Sequence, residues 1–294
     1  MSMHAKTKEM LDYAVKVLTA HNPMTVRQAY YQLVSGQVIE NNRSQYQAVS
    51  KLLVEARKDG TVPWEWIEDR IRKPHEVSMW DDMSEFARCV ERSYRGNVWE
   101  TQDNYVECWL EKHALSGIVE DIVSPYGITL NIGRGFDGWS SIYDASERYK
   151  DIEKPTTILY LGDFDPSGED MVRSMIERLG ELGSHPNIIK VALTNEDVIK
   201  YNLPSDIPKA SDTRSKAFID KYGKRCVELD ALPVETLREH IKTAIEKIMD
   251  LSELDKVLAQ DKVERQRLIT TLTARRNRRW KRGLTIYLYG KVSV

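Results

Sequence analysis

Apolar positions recur along this chain with two different periods, and the change of period divides it. Met10, Leu11, Ala14, Val15 and Leu18 recur at helical spacing over residues 5–20, and His21-Asn22-Pro23 stops the pattern. Thr25 is placed to cap a second helix, VRQAYYQLV, ending near Ser35-Gly36. SQYQAVSKLLVEARKDG predicts a third, from Ser44 to Gly60. TVPWEW reads as extended, because Val62 precedes Pro63 and the proline ring pushes it towards β geometry. Residues 79–95 predict one more helix. Beyond them the texture changes to NYVECWLEK (strand), HALSGIVEDIVSPYG (helix), ITLNIGRGF (strand), GWSSIYDASERYKDI (helix), TTILYLGDFD (buried strand), GEDMVRSMIERLGEL (helix) and NIIKVALT (strand). Such alternation predicts an α/β fold with a mostly parallel sheet, in which ligands sit beyond the carboxyl ends of the strands.

Three helices followed by an extended segment is the order of a winged helix-turn-helix domain. The expected organisation is therefore a winged-helix domain over 1–78, a helical linker over 79–98, the sheet domain over 99–240, and a C-terminal helix with a basic tail over 241–294. A length of 294 residues has room for two domains. With 43 basic and 45 acidic residues the formal charge is −2, so bulk charge announces neither nucleic acid nor membrane, and a nucleic-acid surface has to come from local clustering. Lys51, Arg57 and Lys58 of the third helix, with Arg70, Arg72 and Lys73 after it, form such a cluster, and they equally suit a solvated face. A second run, ARRNRRWKRG, carries six basic residues around Trp280 and reads as a phosphate-binding or a merely solvated tail. Cys89, Cys108 and Cys226 lie far apart and fit no C-x-x-C pairing, so they read as reduced core residues. The absence of a signal-type leader or a bilayer-length apolar stretch predicts a soluble, cytoplasmic protein with no membrane partner.

The chemistry is concentrated at YLGDFDPSGEDM, residues 160–171. Asp163 and Asp165 stand at the end of a predicted strand, where they could hold a metal ion. Alternatively, Asp165 caps the helix that begins near Pro166. Glu111 ends an earlier strand in the same way and is followed by Lys112. Three carboxylates brought to one sheet edge repel unless a cation neutralises them, and hard oxygen donors suit Mg²⁺, with Mn²⁺ as a substitute. On the second predicted helix Tyr30 shares the apolar face of Val26, Ala29 and Leu33. Tyr31 lies about 100° further round, one turn from Arg27. A phenol has a pKa of about 10, and a neighbouring guanidinium can stabilise both its anion and a phosphate under attack. The plain alternative is a pair of packing tyrosines. Arg134, between glycines in GRGFDGWSS, offers a further phosphate contact or a simple connection. Glu228 and Asp230 in VELDALPVETL read first as groups at a helix start, and second as an extra metal contact.

Arg-x-x-Tyr-Tyr at 27–31, Glu-Lys at 111–112 and Gly-Asp-x-Asp-Pro-x-Gly at 162–168, in this order, resemble the A subunit of topoisomerase VI and its relative, the meiotic double-strand-break transesterase. The chain is similar to the stand-alone mini-A proteins of that family. The resemblance covers about residues 5–235 and implies a winged-helix domain of the catabolite-activator type followed by a Toprim domain. It implies attack by Tyr31 on a DNA phosphodiester to give a 5′-phosphotyrosyl bond and a free 3′-hydroxyl, assisted by Arg27. It also implies Mg²⁺ on Glu111, Asp163 and Asp165, a proton from Glu111 for the departing oxygen, and Lys112 as a phosphate or pKa-tuning partner. The implied partners are double-stranded DNA and a second copy of the chain in a homodimer whose sites join the tyrosine of one protomer to the metal of the other. Strand passage would further need an ATPase B-like subunit, since no G-x-x-x-x-G-K-[ST] loop occurs here. Gln28, where the family often has an acidic residue, and the stretch at 133–138 depart from the family pattern. The competing readings are a hydrolytic Toprim nuclease, a non-catalytic DNA-binding module, and an aspartyl phosphatase, which would leave Glu111 and Tyr31 without a role.

Overall fold

The computed structural model describes residues 5–68, 77–133, 138–208 and 212–289, with side chains in the last helix described to residue 272. In chain order the helices are α1 (Ala5–His21), α2 (Val26–Ser35), α3 (Arg43–Lys58) and α4 (Met83–Ser93). Then follow β1 (Tyr105–Leu110), α5 (Ser116–Val123), β2 (Thr129–Ile132), α6 (Trp139–Ile152), β3 (Thr156–Leu161), α7 (Pro166–Glu181) and β4 (Asn187–Ala192). The chain closes with α8 (Asn195–Lys200), α9 (Ser215–Tyr222), α10 (Val234–Glu246) and α11 (Leu251–Tyr289). It divides into two compact units, Met1–Lys73 with Asp103–Ile248, and Pro74–Gln102 with Met249–Val294.

The first unit is an α/β fold. Its parallel sheet has the order β2-β1-β3-β4, and the helices α1–α3 belong to the same unit. The central strands β1 and β3 are buried along their whole length, as their near-continuous apolar sequences require, while β2 and β4 are partly exposed edges. Right-handed crossovers place α5 on one face and α6 and α7 on the other. The packing agrees: α5 lies on α10, and α6 on α7. From β1 the chain moves one way to β2, and from β3 the other way to β4, so the carboxyl ends of β1 and β3 flank a topological switch point.

Helices α1, α2 and α3 pack on one another around Leu18, Leu33, Val49 and Leu53, all fully buried. Thr25 caps α2 as expected from sequence, and Gln28 completes a reciprocal capping box with it. The segment TVPWEW differs from its reading: Pro63 leads into a single 3-10 turn over Trp64–Trp66. Among the described residues, its extended pairing is the bridge of Ile67 with Met24. Arg70, Arg72 and Lys73 lie outside the described residues.

In the second unit α4 packs along α11. Asp82 caps α4 through the amides of Ser84 and Glu85. The loop after α4 is tied to α11 by Gly96 N–H on Asp261 Oδ1 (2.9 Å) and Arg265 Nε on the Tyr94 carbonyl (3.0 Å). α11 is 39 residues long and carries the backbone of the basic run as helix through Tyr289. No helix among the described residues is long and apolar enough to cross a membrane.

Candidate functional site

Parallel pairing of β1 with β3 runs in register to Leu110 and Leu161, and the Glu111 amide extends it by donating to the Leu161 carbonyl (2.9 Å). Glu111 and Asp163 are thereby delivered to one edge, as their places after strands predicted. Glu111 Oε2 accepts from the Tyr160 hydroxyl (3.0 Å) and from the Asp163 amide (3.2 Å). Both glycines of the motif are steric requirements. A Cβ on Gly162 would stand 2.2 Å from the Tyr160 hydroxyl, and one on Gly168 would stand 2.2 Å from the Asp163 carbonyl oxygen.

Asp165 starts a helix. Its Oδ1 accepts from the Gly168 amide (2.7 Å) as N-cap of α7, with Pro166 at the first helical position. Asp163 does otherwise: its Oδ1 takes the Leu229 amide (2.7 Å) and the Lys112 ammonium (3.0 Å). Burial pushes the Asp163 carboxyl up to about 7; Lys112 opposes this, and the nearby Glu111 adds to it.

Leu229 arrives because the loop Asp163–Asp165 pairs antiparallel with a distant segment, Phe164 and Val227 exchanging two backbone hydrogen bonds of 2.9 Å. This bridge carries Glu228 and Asp230 into the site. Neither caps α10, whose N-cap is Pro233 with no side-chain bond, so the sequence reading of these two as helix-start groups is corrected. Lys112 Nζ instead lies 2.9 Å from Glu228 Oε2 and 3.2 Å from Asp230 Oδ2, in addition to Asp163. The cation that meets three of these carboxylates is thus the chain's own lysine. Its pKa is raised: burial alone would lower it, and Asp230, Asp163 and Glu228 outweigh burial.

Helix α2 packs on the 3-10 turn Leu229–Ala231, with Ser35 Oγ donating to the Ala231 carbonyl (3.1 Å). Arg27 there reaches Glu228 through Nη2 and Asp230 through Nε (3.2 Å). Tyr31 lies close enough to Glu228 to feel its charge, and the Arg27 guanidinium lies 5.7 Å from the Tyr31 ring centroid. Burial and the Glu228 charge hold the Tyr31 phenol well above its ordinary value. Burial would raise Glu228, yet Lys112 and Arg27 together bring it down to about 2. Asp230 is completely buried, and its Oδ1 has no hydrogen-bond partner among the described residues. Tyr30 faces the core as its periodicity predicted, its hydroxyl donating to Asn41 Oδ1 (2.9 Å).

Arg27, Tyr31, Glu111, Lys112 and Asp163 are therefore brought together, and Glu228 and Asp230 join them. The oxygen donors of Glu111, Asp163 and Asp165 suit Mg²⁺ chemically. Each of them is engaged by a protein donor, however, and among the described residues no group of three His, Cys, Asp or Glu side chains is arranged to hold a metal ion. Of the expected DNA contacts, Lys51 and Lys58 are exposed on α3, and Arg57 stacks on Trp64 at 4.8 Å. Arg134 lies outside the described residues. No family model matches the chain, and no curated protein matches it.

Proposed function

We propose that the chain is a DNA-cleaving transesterase of the topoisomerase VI A type, with α1–α3 acting as a winged-helix domain and the parallel sheet as a Toprim domain. The observation that carries this reading is the meeting of Arg27 and Tyr31, from one helix, with Lys112 and Asp163, from the carboxyl ends of β1 and β3. A phenol, two fixed cations and carboxyl groups are the parts that phosphoryl transfer to tyrosine uses.

In the reaction a bond forms between Tyr31 Oη and phosphorus as the bond from phosphorus to the 3′-oxygen breaks. One phosphodiester replaces another: the phenol gives up its proton to water, and the departing 3′-oxygen takes a proton, a role assigned to the carboxyl group of Glu111. Arg27 and Lys112 stabilise the phosphate charge and lower the cost of the phenolate. Glu111, Asp163 and Asp165 would be the residues to hold Mg²⁺ or Mn²⁺, which would supply further stabilisation of phosphate charge, although the described side chains do not assemble as a ligand set. Double-stranded DNA, gripped by Lys51, Arg57 and Lys58, a second copy of the chain and an ATPase B-like subunit are the partners of the same proposal.

A second reading, a hydrolytic Toprim nuclease with water as nucleophile, is favoured by the burial of Tyr31, which is 6% exposed. One assay separates the two. Supercoiled plasmid is incubated with the chain and Mg²⁺ or Mn²⁺, stopped with detergent and run with and without protease. Transesterification predicts nicked or linear DNA released only by protease and lost in Tyr31→Phe. Cutting that ignores Tyr31→Phe but needs Asp163 establishes the nuclease, and DNA binding without cutting refutes either activity for the chain acting alone, leaving a binding module or a transesterase that needs its B-like partner.

A further inference from the structure

Glu228 is held by two cations at once, the Arg27 guanidinium and the Lys112 ammonium, and lies close enough to the Tyr31 phenol for its charge to act there. Two cations and a phenol around one anion are also what a phosphate ester entering this site would meet. The cations do not depend on Glu228 for their positions. Asp230, wholly buried, takes Arg27 Nε and Lys112 Nζ at 3.2 Å each, and Asp163 takes Lys112 at 3.0 Å. Glu228 is different: its side chain is 34% exposed and caps nothing in the 3-10 turn that follows it. It can therefore swing into solvent, where its charge is hydrated, while both cations stay anchored from behind.

Building on the transesterase reading, we propose that Glu228 is an internal stand-in for the DNA phosphate, occupying the anion seat of Arg27, Lys112 and Tyr31 in the free protein until a phosphodiester displaces it. A phosphodiester carries one negative charge, as the carboxylate does, so the exchange leaves the charge balance of the seat unchanged.

The test is binding in EDTA, where cleavage is not read. Affinity for a fluorescein-labelled duplex is measured by anisotropy at fixed ionic strength for the full chain, for Glu228→Gln, for Arg27→Ala and for the double variant. Circular dichroism checks each fold, and Glu228→Asp, too short to reach both Arg27 and Lys112, serves as a second variant. Glu228→Gln is expected to bind about tenfold tighter, Glu228→Asp to gain less, and the gain to vanish when Arg27 is also removed. No gain overturns the proposal. A gain that survives the loss of Arg27 also overturns it, because that is a bulk-charge effect. A chain that never forms a phosphotyrosyl bond can still pass this test, and one that cleaves can fail it, so the two readings fall separately.

Discussion

Lys112→Met removes the ammonium that touches Asp163, Glu228 and Asp230 at 3.0, 2.9 and 3.2 Å while keeping most of the side chain's volume. At an effective dielectric constant of about 20, a pair of unit charges about 3 Å apart attracts by about 5 kcal/mol before desolvation. The lysine is only 15% exposed, so relief of its desolvation returns much of this. Breaking a buried pair by removing one partner costs about 3–5 kcal/mol. Arg27 remains on Glu228 and Asp230, which points to the lower end, about 3 kcal/mol at pH 8. The loss should shrink by about 1 kcal/mol at pH 5.5, for a reason with a definite sign. Asp163 has its folded pKa raised to about 7, so its contribution to stability is complete below the ordinary carboxylate range and is lost as pH rises through 7. Without Lys112 that pKa rises further, which enlarges the loss on the alkaline side. Hydrogen exchange of peptides spanning β1 and β3, compared with the unaltered chain at each pH, reads the opening of this unit. A loss of about 3 kcal/mol corresponds to roughly a hundredfold faster exchange. A change below about 1 kcal/mol at pH 8, or a loss as large at pH 5.5, would refute the account of Lys112 as the neutralising cation.

Asp165→Asn keeps an N-cap oxygen and should leave the melting temperature of the chain almost unchanged, whereas Asp165→Ala should cost about 1 kcal/mol. If Asp165→Asn also keeps metal-dependent cleavage, Asp165 is a cap and no ligand. Gly168→Ala places a Cβ 2.2 Å from the Asp163 carbonyl oxygen and is expected to destabilise by about 1–3 kcal/mol in urea titration, with a neutral result refuting the close approach. Glu107 is fully buried in β1, accepting from Arg148, Tyr149, Trp109, Asn131 and Tyr105. Glu107→Gln turns one acceptor into a donor facing donors, with an expected loss of about 3 kcal/mol by thermal unfolding.

What the sequence by itself determined is local. The 3.6-residue period placed α1 to α3, the apolar runs placed β1 and β3, and Thr25 and Pro166 marked helix starts, because these depend on hydrogen bonds and side-chain periodicity within a few residues. Position after a strand also brought Glu111 and Asp163 to one edge, since parallel strands end on the same side of a sheet. The tertiary structure alone decided what those groups meet. Asp163 is bonded to an amide 66 residues away, and Arg27 to a carboxylate 201 residues away. No period in the chain announces the bridge between Phe164 and Val227 that brings Glu228 and Asp230 in. The crowding of carboxylates suggested from sequence that a cation was required; which cation answers it is a matter of distance in space. In this fold Lys112 meets Asp163 together with Glu228 and Asp230, two carboxylates from far along the chain, because the turn that follows β1 aims its ammonium into the space they enclose.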